Sequence, residues 1–318
     1  MSDVQLRLIF VFVDMILPLA VGYIIHQRKL LPDSFNNILI RINIIFFITI
    51  LTLFSFWILP LSPQMLLLPM FGILCTLLPA LLAKFFFLKD YSDMLDRGSY
   101  LMCAMLSNIG TLCGLCAFLI YGEHGFAYIQ LIASLQNILF IALCLPLAKY
   151  YRSKFEASVM KGGFHFSWRM FITWNQLGLV GMVVGLALNI SGVERPEVLG
   201  TIFRALIHVS AWSALLPVGY LIDFKSAKKW YGHLLSLIPL HFLFIPAIIY
   251  VLARLLFDDP VIINTLILAA AAPSAINAVL AARINKLNVD FTIASFLLTT
   301  VIFLLILFPA FFIYVTKF

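Results

Sequence analysis

The sequence is poor in charge. Only 11% of its 318 residues are Asp, Glu, Lys or Arg, against about 25% in a typical soluble domain. That scarcity excludes a water-soluble globule. Extended polar sequence is also missing: the one such stretch, Lys149–Trp174, is too short to be a soluble domain. No P-loop pattern occurs, which excludes the phosphate cradle of an ATP-driven pump. No signal peptide is read at the start. Arg7 is its only basic residue, Asp14 interrupts the apolar run, and no small-residue cleavage site follows, so residues 6–25 are read as a retained first helix. The five cysteines, Cys75, Cys103, Cys113, Cys116 and Cys144, all fall in apolar spans, and an odd buried set is no disulfide framework. Cys113-x-x-Cys116, with Met102, Cys103 and Met105 close by, has soft-metal spacing. Without a soluble metal-binding segment it reads as small core residues, and neither metal nor cofactor is expected.

What the sequence has instead is apolar residue, 63% of the chain, gathered in runs of about twenty, the length that crosses a bilayer as a helix. The expected fold is an all-α polytopic membrane protein of ten transmembrane helices. Their spans are roughly 6–25, 36–59, 65–88, 100–120, 126–148, 175–191, 200–222, 234–256, 261–282 and 291–315. The basic loop 149–174 divides the chain into a first five-helix repeat, 1–148, and a second, 175–318.

Basic residues alternate with the spans. Fifteen of the 21 Lys and Arg residues lie at the odd-numbered loops, among them Arg28, Lys29, Lys89, Arg97, Lys161, Arg169, Lys225, Lys228, Arg283 and Lys286. The even-numbered loops hold only Arg195, with Glu123, Glu194, Asp258 and Asp259. Odd loops are therefore expected in the cytoplasm and both termini outside. This placement also accounts for the net charge of +7 without a nucleic-acid surface. Five spans per half make the second half enter the membrane inverted. A faint echo agrees: Gly22 precedes Arg41 by the same interval as Gly185 precedes Arg204, with Pro32 and Pro196 between.

Two spans carry residues that lipid does not ask for. Span four contains Ser107, Asn108, Gly110 and Gly114; span nine contains four alanines, Pro273, Ser274 and Asn277. Broken backbone at membrane depth is tolerated only where protein buries it or a watery cavity adjoins it, and carriers place substrate at paired breaks of this kind. Glycine is expected to relax the first helix and Pro273 to free carbonyls near Ala269 in the second. Half-helix N-termini then attract an anion without an arginine. The competing explanations are small-residue packing for Gly110 and Gly114 and an ordinary proline kink at Pro273.

At these breaks the sequence resembles the auxin efflux carrier family of membrane transporters. The resemblance rests on Asn108, Gly110, Gly114-Leu115, Gly122-Glu123 and Asn137 in the first half. In the second half it rests on Pro273, Asn277, Arg283, Asp290, Ala294-Ser295 and Pro309, and at the start on Asp14 through Pro18 with Gly22-Tyr23. The chain departs from that family at Cys116 and at Ile44-Ile45-Phe46, where proline is usual, and in the register of Pro217. The resemblance implies two inverted repeats with broken, crossing helices four and nine. It implies a scaffold of helices 1, 2, 6 and 7, a moving transport domain of helices 3–5 and 8–10, and small organic anions as substrates. Bile acid sodium symporters share that architecture.

Asp14 lies about 12 Å into the membrane at 1.5 Å per residue, where a carboxylate is costly and usually functional. His208, comparably deep on span seven, is its expected partner for coupling to H+ or Na+; a static buried pair is the structural alternative. Of the mid-span amides Gln136 and Asn137, Asn137 is the better cavity candidate. Asp90, Asp93 and Asp96 have the spacing of a magnesium-diphosphate site, but the matching loop of the second half has only Asp223, so an interfacial helix turn is expected. Trp57, Trp168, Trp174 and Trp230 fall near span ends, as interfacial anchors do.

The expectation is a secondary carrier of a mono- or dicarboxylate or auxin-like anion, not an enzyme, in the plasma membrane (the inner membrane in bacteria). Its substrate-binding residues would be Asn108, Gly110, Gly114, Cys116, Asn137, Pro273, Ser274 and Asn277, its coupling residues Asp14 and His208, and its candidate assembly a homodimer. A sodium-coupled symporter of bile-acid type is the alternative, and a membrane enzyme or receptor is the alternative of another class.

Overall fold

The computed structural model describes residue 10 and residues 12–157, 177–221 and 229–317. Most of the 149–174 loop, with Lys161, Trp168, Arg169 and Trp174, lies outside the described residues, as do Arg7, Asp223, Lys225 and Lys228. The structure is 86% helical, and the described residues include no strand. Among the described residues six helices are long and apolar enough to cross a membrane: Ser34–Trp57, Pro63–Asp90, Ile109–Glu156, Glu197–Tyr220, Tyr231–Leu256 and Val289–Val315. Val13–Gln27, Leu177–Ile190 and Pro260–Ala270 are apolar but shorter. Spans four and nine are cut into pieces by their breaks. The end of span four runs on into span five within one merged helix, interrupted at Gly122, where φ is 66° and ψ −150°. Large apolar side chains face outward, Leu66 at 78%, Leu255 at 75% and Ile190 at 74% exposure, a surface suited to hydrocarbon.

The chain forms two compact units. Unit 1 comprises Met1–Leu61, Gly114–Ala127 and Thr173–Ile222. It holds α1 (Leu17–Gln27), α2 (Asp33–Ile42), α3 (Ile48–Trp57), the first half of α6 (Gly114–Leu139), α8 (Leu177–Ile190) and α9 (Glu197–Tyr220). Here α1 packs on α9 and α3 on α8. Both pairs approach backbone to backbone through glycine: a Cβ at Gly22 would strike the Leu216 carbonyl, one at Gly219 the Leu19 carbonyl, and one at Gly181 the Thr49 carbonyl. Asn43, in the π turn after α2, is buried and donates through Nδ2 to the Ser210 carbonyl at 2.8 Å. Asn189 ends α8 by donating to the carbonyls of Phe56 and Leu59.

Unit 2 comprises Ser62–Cys113, Tyr128–Ile172 and Asp223–Phe318. It holds α4 (Leu68–Leu82), α5 (Met94–Met105), the second half of α6, α7 (Leu145–Ala157), α10 (Ile245–Leu256), α11 (Pro260–Ala270), α12 (Ile276–Ile284), α13 (Val289–Ile302) and α14 (Phe308–Lys317). Three starts are set by local sequence: Asp93 caps Leu95 N–H, Asp259 caps Val261 N–H ahead of Pro260, and Asn288 caps Phe291 N–H. Such caps serve donors that helix geometry leaves orphaned. The core is aromatic, with Tyr100, Phe291, Phe296 and Phe303 all at 1% exposure or less.

Candidate functional site

Both interruptions lie in unit 2, and their backbones are stitched together. Helix α5 makes its last turn with Leu106 N–H donating to Met102 O at 3.0 Å, and Leu106 itself is extended. On the other strand of chain, α11 ends at Ala270 and Pro273 has no N–H to offer. Ser107 and Ser274 then form an isolated antiparallel bridge. Asn108 N–H donates to Pro273 O at 2.7 Å, and Ala275 N–H donates to Leu106 O at 2.7 Å. Each break thus satisfies groups that the other exposes, the condition for leaving helix geometry in a medium without water.

Side chains complete the stitch. Ser274 is fully buried; its Oγ donates to Cys103 O at 3.0 Å and lies 3.0 Å from Ser295 Oγ, and its N–H reaches Thr299 Oγ1 at 3.1 Å. Gln136 donates through Nε2 to Ser107 Oγ at 3.2 Å. Past the break the chain enters a π turn, Ile109–Cys113. There Asn108 Oδ1 accepts from Leu112 N–H at 3.3 Å, and Gln130 Nε2 donates to Gly110 O at 2.8 Å. The Cys113 thiol donates to Leu268 O at 3.3 Å.

The sequence-read residues are distributed unevenly over this geometry. Asn108, Pro273 and Ser274 are at the stitch itself, and Asn277 stands in the first turn of α12, half-buried like Asn108. The break falls at Leu106–Asn108 and not at the glycines. Gly110 lies in the π turn, where an added Cβ would meet Ala133 Cβ at 3.5 Å and Gln130 Oε1 at 3.6 Å, ordinary contacts. Among the described residues the glycines with positive φ are Gly122 and Gly192. Gly114 opens α6, and the helix continues through buried Cys116 without a proline; both residues belong to unit 1. Of the neighbouring amides it is Gln136, 7% exposed, that bonds to the break, while Asn137 is half-buried.

In unit 1, Asp14 and His208 are brought together. Asp14 Oδ2 lies 2.5 Å from His208 Nδ1. The carboxylate is 7% exposed and shares a small pocket with Leu115, Phe118 and Ile207. The Phe10 ring stands 4.6 Å from the imidazole. A second polar cluster of this unit had no sequence signal beyond its charges: Arg195 holds Glu123 in a bidentate pair and also donates to Phe54 O.

The aspartates after α4 have structural employment. Asp93 caps α5, and Asp96 accepts from Asn288 Nδ2 at 2.7 Å. Among the described residues no group of three or more His, Cys, Asp or Glu is placed to hold a metal. All five cysteines are buried and none forms a disulfide.

Fold and site together define an all-helical chain, compatible with a membrane, in which two broken helices are joined through their backbones. Comparison with known families and with curated proteins finds no matching family model and no matching relative.

Proposed function

We propose that the protein is a secondary carrier of a small organic anion, with its site beside the stitch between the two breaks. One observation carries the reading. Helix α12 starts within this unit at Ala275, with no side-chain cap on its first N–H groups. Ser, Thr, Asp or Asn at an N-cap is worth ~1 kcal/mol over alanine, so an alanine there leaves donors and a partial positive charge for another partner. Asn277 in that first turn and Asn108 across the stitch supply amide donors for a carboxylate.

The architecture read from the sequence goes with this proposal: ten spans in two inverted repeats, both termini outside, and helices 3–5 and 8–10 moving as an elevator against a scaffold of helices 1, 2, 6 and 7. Its support is the pairing inside unit 1. A two-fold relation between the halves exchanges spans one and six, and two and seven, so it turns the α1–α9 pair into the α8–α3 pair. Both pairs are present, each with glycine at the contact.

A melting-temperature screen of mono- and dicarboxylates tests the site. An anion that stabilises the parent should bind Asn108→Ala and Asn277→Ala about tenfold more weakly, the size of one hydrogen bond to a charged group. Equal stabilisation of parent and both variants would remove the site from unit 2.

Asp14 and His208 are the coupling pair of the proposal, a carboxylate and an imidazole in hydrogen-bond contact within apolar segments, where an isolated charge is costly. In proteoliposomes, Asp14→Asn is expected to shift the pH dependence of anion uptake. An unchanged pH and sodium dependence would take the pair out of the mechanism.

A further inference from the structure

Gly114–Ala127 is an excursion of the chain. The residues before it, Ser62–Cys113, and after it, Tyr128–Ile172, belong to unit 2, while the stretch itself belongs to unit 1. There Phe118 and Phe126 set their rings 5.6 and 5.8 Å from the buried ring of Phe203 on α9. Leu115, Phe118 and Leu119 line the pocket that holds Asp14 and His208. The excursion therefore covers the acid and the histidine.

Glu123, the carboxylate of this stretch, is tied to a well-fastened loop. Three side chains bind the Asn189–Arg195 segment to the end of α3. Asn189 Nδ2 donates to Phe56 O and Leu59 O at 3.1 and 2.8 Å, Trp57 Nε1 to Val193 O at 2.6 Å, and Arg195 Nη1 to Phe54 O at 3.0 Å. The same guanidinium grips both oxygens of Glu123. Apolar rings can slide over one another, whereas a bidentate pair has one geometry. Next to the grip stands Gly122, with φ 66° and ψ −150°. An added Cβ there would meet nothing within 4 Å, so the need for glycine is conformational. Glycine enters such a region without strain and leaves it as easily, and the turn can swing once Glu123 is let go.

We propose that Glu123 and Arg195 form a latch. Closed, it keeps Gly114–Ala127 over Asp14 and His208; open, it lets the stretch swing about Gly122 and uncovers them. The latch is a property of unit 1 and stands without the carrier reading. That its opening is a step of transport rests on that reading.

The first test needs no substrate. A hydrophobic carbodiimide adds to carboxyl groups, and its attachment to Asp14 is read by peptide mass at a temperature well below melting. Glu123→Gln, which keeps the shape and loses the charge, should label Asp14 about tenfold faster than the parent, the size of one hydrogen bond to a charged group. A brace and a latch separate in the double variant Glu123→Ala with Arg195→Leu, which removes both charges and so costs little stability. It should melt near the parent and still label Asp14 fast. Labelling of the double variant at the parent's rate overturns the latch. The second test uses Glu123→Cys with Arg195→Cys, bridged by a bifunctional methanethiosulfonate; the native cysteines are buried. In proteoliposomes the bridged protein should bind an anion found by the screen without taking it up, and reduction should restore uptake. Uptake by fully bridged protein overturns the transport step. Failure of every anion to bind overturns the carrier reading instead, and leaves the latch to be decided by the labelling of Asp14.

Discussion

Gly72→Ala is expected to leave little folded protein. Gly72 lies inside α4, and a Cβ there would run into the carbonyl oxygen of Ile132 on the second half of α6. The obstacle is backbone, so no rotamer change can relieve it and the two helices must separate. Overpacking a close contact costs about 1–3 kcal/mol when side chains can adjust; with a carbonyl as the obstacle, the upper end applies. The expected result is a large fall in melting temperature in detergent and in the yield of monodisperse protein. Gly110→Ala is the matched control, because its Cβ would find only ordinary contacts. It should melt with the parent. If Gly72→Ala also does, the close approach of α4 and α6 is wrong.

Removing Glu123 is expected to have an effect of similar size for an electrostatic reason. Arg195 Nη1 lies 2.5 Å from Glu123 Oε2, Nη2 3.2 Å from Oε1, and the side chains are 9% and 14% exposed. In Glu123→Ala the guanidinium stays buried against Phe54 O with its countercharge gone. Breaking a buried pair from one side costs ~3 kcal/mol or more, whereas removing both partners costs much less. Glu123→Ala should therefore melt well below the parent, and Glu123→Ala with Arg195→Leu should recover much of the loss. The pair also fixes geometry, because Glu123 follows the left-handed Gly122 where α6 is interrupted. Burial should make the difference nearly independent of salt. A pair that contributed only as a surface salt bridge would give a small, salt-sensitive change and no rescue.

The two variants probe contacts of different legibility. Glu123 and Arg195 were visible as charges at the ends of apolar spans, but nothing in the order of residues paired them, since the partners are distant in the chain. Gly72 carried no signal at all, because a glycine in an apolar helix looks alike whether a backbone or a lipid faces it. The breaks were legible as regions. An amide beside glycines in one span and a proline after four alanines in another conflict with hydrocarbon, and both mark interruptions. Within the first region the flexibility of the glycines is a local property and does not by itself place the interruption. The break sits at Ser107 because Pro273 O and Ala275 N–H are there to receive it.

The sequence by itself determined that this chain is helical and suited to a bilayer, which two apolar runs are interrupted, and that an acid and a histidine fall inside such runs. These follow from composition and spacing, which act through local solvation and backbone preference. Only the tertiary structure decided that Ser107 bridges Ser274, that Gln136 and not Asn137 reaches the break, and that Arg195 pairs with Glu123. Each depends on helix phase and on which distant segment supplies the missing hydrogen bond. A buried polar group must be satisfied, and its residue type does not say by whom.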